Sequence, residues 1–260
     1  MKTPLSASED ILGYQVVSSS KEICIESIAE WIEKGEQKKY FVCLNPHSCE
    51  VAQKDPLFKT AIFNADLVVP DGVGIIIASK ILGGTITERI TGFDIFAGLT
   101  SVMNTQKKRS CFFLGSTENN LAIIKEKMGK EFPHVRVAGC YSPPFKKEFD
   151  DEDNRRMVKI INEAKADVLW VGMTAPKQEK WILTNKENLE GVKFIGAIGA
   201  VFDFYAGTVK RSHPLFQKCG LEWLPRFCRQ PGRLWRRNLV SNPHFLLRVI
   251  QKKYSCQGNH

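Results

Sequence analysis

Short apolar runs alternate with longer stretches of helical periodicity through the first two hundred residues. Residues 40–44, 66–69, 110–114, 135–140, 167–172 and 193–198 read as strands. They are rich in Val, Ile, Phe and Leu and read as buried on both faces, as the strands of a covered parallel sheet are. Between them, residues 21–34, 47–64, 73–82, 92–104, 118–132, 151–164 and 176–188 carry a helical pattern. Helices alternating with buried strands predict an α/β chain, with a Rossmann-like, mostly parallel sheet covered by helices on both faces.

The pattern changes near residues 205–212. Beyond that point no strand is predicted. The segment reads as two or three short helices broken at Pro225, at Pro231-Gly232 and at Asn242-Pro243. The predicted division is therefore a Rossmann-like body, 1–206, and a helical C-terminal appendage, 207–260.

Charge sharpens this division. The 260-residue chain carries a formal charge of +9. Residues 207–260 hold 11 Lys and Arg against one acid, Glu222, whereas residues 1–206 hold 26 basic and 27 acidic side chains. A basic block of this kind faces something anionic: nucleic acid, phosphate groups or an anionic membrane surface. The rest of the composition, 43% hydrophobic and 25% charged, is that of a globular chain and excludes disorder or a collagen-like repeat. No apolar run approaches the roughly 18–20 residues that a membrane-spanning helix needs. The opening MKTPLSASED lacks the apolar centre of a signal peptide, so a cytosolic protein is expected. Cys24, Cys43, Cys49, Cys111, Cys140, Cys219, Cys228 and Cys256 form no Cys-x-x-Cys pair and read as reduced thiols. The histidines are scattered too, so no Cys/His metal cluster is expected.

In an open α/β sheet, ligands bind outside the carboxyl ends of the strands. Asp71 follows an apolar strand and precedes Gly72-Val73-Gly74 at the start of a helix. It suits a general base at the sheet edge and, equally, a helix N-cap. The next residues are isoleucines, so the third glycine of a dinucleotide fingerprint is missing, and there is no P-loop. Gly115-Ser116-Thr117 opens a helix whose amides suit a phosphate or, more simply, a Ser/Thr cap. The turn from Gly172 through Lys177, Gln178 and Glu179 offers Gln178 to a base or sugar, or to solvent. Asp203 stands in an apolar segment and needs a partner if buried. The acidic run at 150–153 contains an Asp-x-Asp, as in many metal-dependent nucleotide-sugar enzymes, but it reads better as an acidic helix start. In the appendage, Arg226, Arg229, Arg233, Arg236 and Arg237 step by three and four among Trp223 and Trp235. That composition suits a membrane interface or phosphate pairing, and otherwise a solvated face.

Taken in order, these motifs resemble the WecG/TagA/CpsF family of bacterial glycosyltransferases, glycosyltransferase family 26. The matching stretches are Asn45-Pro46, residues 65–74, 88–94, 113–116, 172–179 and 199–203, then Arg211 and residues 220–226. The resemblance runs from about Ile11 to Ile250. It implies a Rossmann-like body with a C-terminal appendage, attached peripherally to the inner face of the bacterial plasma membrane. It implies inverting transfer from a UDP-sugar to a polyprenyl-diphosphate-linked saccharide in cell-surface polysaccharide synthesis. N-acetylmannosamine, its uronic acid and glucose are the donor sugars it suggests. No metal and no cofactor are implied, and a homo-oligomer is compatible with it.

By the same resemblance, Asp71 is the catalytic base, and Asn45 and Arg89 line the pocket. Gln178 and Asp203 lie near the nucleotide sugar, and Arg226, Arg233 and Arg236 close over the diphosphate. The remaining substrate-binding candidates are Cys43, Gly72, Gly115, Ser116, Gly172, Lys177 and Glu179, with Arg229 and Arg237 facing diphosphate or membrane. Cys43 departs from the family pattern, where Thr is common two residues before the Asn; a thiol is the weaker donor. Two other classes compete. A nucleic-acid-binding protein would use the basic tail, although no known module accompanies it. A nucleotide-dependent oxidoreductase is opposed by the incomplete glycine fingerprint.

Overall fold

A computed structural model describes residues 7–106, 109–210, 232 and 235–257. Eight strands follow in chain order: β1 Ser8–Ile11, β2 Tyr14–Val17, β3 Lys39–Leu44, β4 Leu67–Pro70, β5 Arg109–Gly115, β6 Val135–Tyr141, β7 Val168–Gly172 and β8 Phe194–Ala197. The last six form one sheet in the order β4-β3-β8-β7-β5-β6. Every pairing in it is parallel. All six carboxyl ends therefore lie along one edge.

Both faces of the sheet are buried, as the strand composition predicted, except along the edge strand β6, where Val135 alone is buried and Arg136 is exposed. Along β7, Leu169 and Val171 enter one core cluster while Val168 and Trp170 enter the other. Helices α1 Lys21–Lys34, α5 Gly92–Gln106, α6 Glu118–Glu131 and α9 Val201–Ala206 cover the Trp170 face. There Phe96 packs edge-on to Trp170, with ring centroids 5.2 Å apart. The other face is covered by α2 Pro46–Ala52, α3 Pro56–Phe63, α4 Val73–Leu82, α7 Asp151–Ala164 and α8 Lys177–Asn185.

The single helix predicted over 47–64 is two helices. Pro56 has no N–H to continue α2, and the Asp55 carboxylate caps α3 by accepting from Phe58 N at 3.0 Å. The β1–β2 hairpin was not predicted. Its two-residue turn needs positive φ at both positions, supplied by Leu12 (53°) and Gly13 (94°). Leucine there is a poor turn signal. The six-residue α9 was also missed, because it is too short to display a period. The acidic run does start a helix: Asp150 and Asp153 form a reciprocal capping box at the head of α7.

At the C-terminus a π-helical turn, Arg236–Ser241, leads into α10, Asn242–Gln257. The break predicted at Asn242-Pro243 is thus a change of winding, with Pro243 in the opening turn, where a missing N–H is tolerated. Although α10 lies in the segment read as an appendage, Phe245 and Val249 are fully buried in the core of the body. Polar ties reinforce this seat. His47 Nδ1 lies 2.9 Å from Ser241 Oγ, Arg248 pairs with Glu50 at 2.9 Å, and Lys252 pairs with Asp10. Thus α10 rests on α2 and α4, the two helices that begin at Asn45-Pro46 and Gly72-Val73.

Candidate active site

The carboxyl edge of the sheet collects the strand-end motifs. In sheet order they are Asp71 after β4, Asn45 after β3, Gly199 after β8, the 172–179 turn after β7 and Ser116 after β5. Neighbouring strands lie about 4.8 Å apart, so the β4 and β5 ends stand about 19 Å apart along the edge.

Asp71 N donates to Leu44 O at 2.8 Å, which straps it to the end of β3. The next residue settles its local role. Gly72 has φ 113° and ψ 148°, a conformation open to glycine, and it occupies the N-cap position of α4 with no side chain capping the helix. Asp71 therefore stands outside the cap and the capping reading falls away. Arg89 is brought beside it by the neighbouring residue, because Ile90 N donates to Pro70 O at 2.9 Å. Asn45 does cap a helix: its Oδ1 accepts from Ser48 N at 3.0 Å at the start of α2.

Cys43 lies among carboxylates. Burial pushes its thiol pKa well up, and the nearby charges of Asp71, Glu179 and Asp94 push it further in the same direction. A thiol raised in this way is a poor nucleophile at neutral pH. Asp94 itself is engaged at the head of α5, where its Oδ2 accepts from Thr91 N and Thr91 Oγ1 at 2.8 and 2.6 Å.

The turn after β7 passes through a cis Ala175–Pro176 bond into α8. Gln178, read as equally suited to solvent, is buried. Its Oε1 accepts from Gly199 N at 2.9 Å and Met173 N at 3.3 Å, and its Nε2 donates to Glu179 Oε1 at 2.8 Å. One amide thus ties the end of β7 to the end of β8. Glu179 is 3% exposed, and its Oε2 has no hydrogen-bond partner among the described residues. Burial pushes its carboxyl pKa up to about 7, against the opposing pull of the Gln178 amide and its own backbone N–H. Lys177 turns elsewhere. Its Nζ donates to Lys146 O and lies over the Phe149 ring, 3.6 Å from the centroid, and burial holds its pKa down.

At the β5 end, Gly115 has φ 121°, and a Cβ there would stand 2.4 Å from Gly172 O, so only glycine fits beside β7. Gly172 is equally tight against the Phe202 ring. Thr117, not Ser116, caps α6, accepting from Asn120 N at 3.3 Å. The Ser116 hydroxyl is left to approach Asp203 Oδ1 at 3.5 Å, and the side chain of Asn120 bonds to both. No motif marks Asn120 in the sequence, because Thr-x-x-Asn at a helix start is an ordinary capping pattern.

The site residues thus fall into two groups on one edge. Cys43, Asn45, Asp71 and Arg89 lie at the β4 and β3 ends, with Gln178 and Glu179 reaching toward them from β7, and Ser116, Asn120 and Asp203 lie at β5. The side chains of Arg236 and Arg237, and all of Arg226, Arg229 and Arg233, lie outside the described residues. Among the described residues no cluster of His, Cys, Asp or Glu has the makings of a metal site. No helix among them is long and apolar enough to cross a membrane.

Known proteins resemble this chain in sequence. Residues 9–258 match the glycosyl transferase WecG/TagA/CpsF family. The chain is 30% identical over 221 residues to the N-acetylglucosaminyldiphosphoundecaprenol N-acetyl-beta-D-mannosaminyltransferase of Bacillus spizizenii, covering 85% of this chain and 82% of that one. Over 249 residues it is 26% identical to the protein of the same name from Staphylococcus aureus, covering 95% and 94%. The match takes in the whole sheet, its carboxyl edge and α10, and the chain belongs to the WecG/TagA/CpsF family of glycosyltransferases.

Proposed function

We propose that this glycosyltransferase moves a sugar from a UDP-sugar to a polyprenyl-diphosphate-linked saccharide, with inversion at the anomeric carbon. The observation that carries this reading is the placement of Asp71: outside the helix cap, at the working edge of the sheet, with Arg89 brought next to it. In the reaction, Asp71 removes the proton from an acceptor hydroxyl. The hydroxyl oxygen bonds to the anomeric carbon as the bond from that carbon to the UDP oxygen breaks, and UDP leaves with the electron pair. A single displacement of this kind inverts the centre. The developing negative charge falls to Arg89 and the arginines of the appendage, which suit phosphate geometry, and no metal is assigned a role.

The relatives' names speak for N-acetylmannosaminyl transfer onto N-acetylglucosaminyldiphosphoundecaprenol. That pair is the first to test, ahead of the uronic acid and glucose. The outer face of the C-terminal region supports docking on the inner membrane leaflet, where such an acceptor resides. Leu239, Leu247 and Tyr254 are 61%, 56% and 67% exposed, in a segment whose charges are almost all positive.

The test is UDP release from UDP-N-acetylmannosamine, UDP-N-acetylglucosamine and UDP-glucose, with a short-chain N-acetylglucosaminyl diphospholipid and with EDTA present. Release that needs the acceptor and survives the chelator is expected. Release that ignores the acceptor, or none from any UDP-sugar, would reject the reading.

A further inference from the structure

Asn120 belongs to none of the strand-end motifs, yet it joins two of them. It sits in the first turn of α6 and is 7% exposed. Its Nδ2 donates to Asp203 Oδ1 at 2.9 Å and to Ser116 Oγ at 3.1 Å. A primary amide has two N–H donors, and both are committed to oxygens that come from different elements, the β5 end and α9.

The backbones behind these oxygens are fixed as well. Ser116 holds φ at 59°, its N donates to Gly172 O at 3.2 Å, and its carbonyl accepts from Ser142 Oγ at 2.7 Å. A serine at positive φ is uncommon and persists where its surroundings over-determine it. On the other side, the carbonyl of Asp203 accepts from Gly207 N at 3.1 Å and from Val209 N and Thr208 Oγ1, both at 3.2 Å. With both main chains held, the remaining freedom is in the side chains, and Asn120 removes it. An ionised carboxylate offers about four acceptor positions. The amide takes Oδ1, which leaves Oδ2 of Asp203 to a ligand.

We propose that Asn120 is the positioning residue of the donor's nucleotide subsite: it presents Asp203 and Ser116 as one rigid pair of oxygens to the hydroxyl and phosphate groups of the donor. The inference rests on the UDP-sugar reading above. Substituting Asn120 should therefore weaken nucleotide binding and raise KM for the donor, while kcat changes little.

The experiment is calorimetric titration of the full chain with UDP. Asn120→Ala should weaken binding about tenfold or more, the usual effect of losing a hydrogen bond to a charged partner. Asn120→Asp keeps the size but turns a donor toward Asp203 into a second carboxylate, and should weaken binding at least as much. A packing role would spare this isosteric variant. Asn120→Ser keeps one donor and should fall between Asn120→Ala and the unaltered chain. Asp203→Ala combined with Asn120→Ala should be no weaker than the weaker single variant. UDP affinity within twofold of the unaltered chain in both Asn120→Ala and Asn120→Asp, or additive losses in the double variant, would overturn the inference alone. Failure of the unaltered chain to bind UDP would overturn the donor reading and this inference with it.

Discussion

A carboxyl buried as deeply as that of Glu179 reports its environment through stability. Its ordinary pKa of 4.5 applies to the unfolded chain and about 7 to the folded one. Between those values the folded state holds the extra proton, so stability falls as pH rises from about 4.5 to about 7 and the full penalty persists above. At about 1.4 kcal/mol per unit this is on the order of 3 kcal/mol. Glu179→Gln removes the titration and keeps an acceptor for Gln178. Urea unfolding at pH 5 and pH 8 should show a smaller loss on going to pH 8 in the variant than in the unaltered chain; equal losses would contradict the assignment. The sequence marks Glu179 only as part of a turn after an apolar strand. Its burial is invisible there, because it follows from how α8 is set against α3 and β8. Asp71 shows the same limit. An aspartate before a Gly-x-Gly suits a cap or a base equally, and only the backbone angles of Gly72, which make it the N-cap residue, set the cap aside.

At the level of elements, strands were legible where both faces are buried, since a short continuous run of Val, Ile, Phe and Leu between turn residues is what a strand inside a covered parallel sheet requires. What escaped was local or tertiary. The β1–β2 turn uses a leucine at positive φ, the 47–64 pattern hides a proline restart, and α9 is shorter than two turns. The seating of α10 was also out of reach, because it packs on α2 and α4, roughly 160–200 residues away in sequence. The inner face of α10 buttresses the helices that start at Asn45 and Gly72, and the outer one is the face we propose for a lipid surface. Leu239→Ser, Leu247→Ser and Ile250→Ser together touch only exposed positions. The triple variant should keep its melting temperature and lose sedimentation with anionic phospholipid vesicles. Raised salt should weaken the binding of the unaltered chain, since each basic residue near the surface contributes roughly 1 kcal/mol. Unchanged sedimentation of the variant would remove the docking role from this face.

Over the whole molecule, the formal charge of +9 conceals two parts: residues 1–206 near neutrality and a basic remainder. The near-neutral part supplies the parallel sheet and its working edge. The basic part supplies α10 and the arginines proposed to meet diphosphate. The candidate residues extend about 19 Å along that edge, from Asp71 at β4 to Ser116 at β5, and we propose that an extended nucleotide sugar lies along it with its reacting carbon toward Asp71. The central claim is that Asp71 takes the acceptor proton. The most direct measurement is single-turnover sugar transfer by Asp71→Asn with bound donor and lipid-diphosphate acceptor. The account predicts a rate lower by about 10²–10⁴-fold, with UDP affinity and melting temperature unchanged. A folded Asp71→Asn enzyme that transfers sugar at close to the unaltered rate would contradict it.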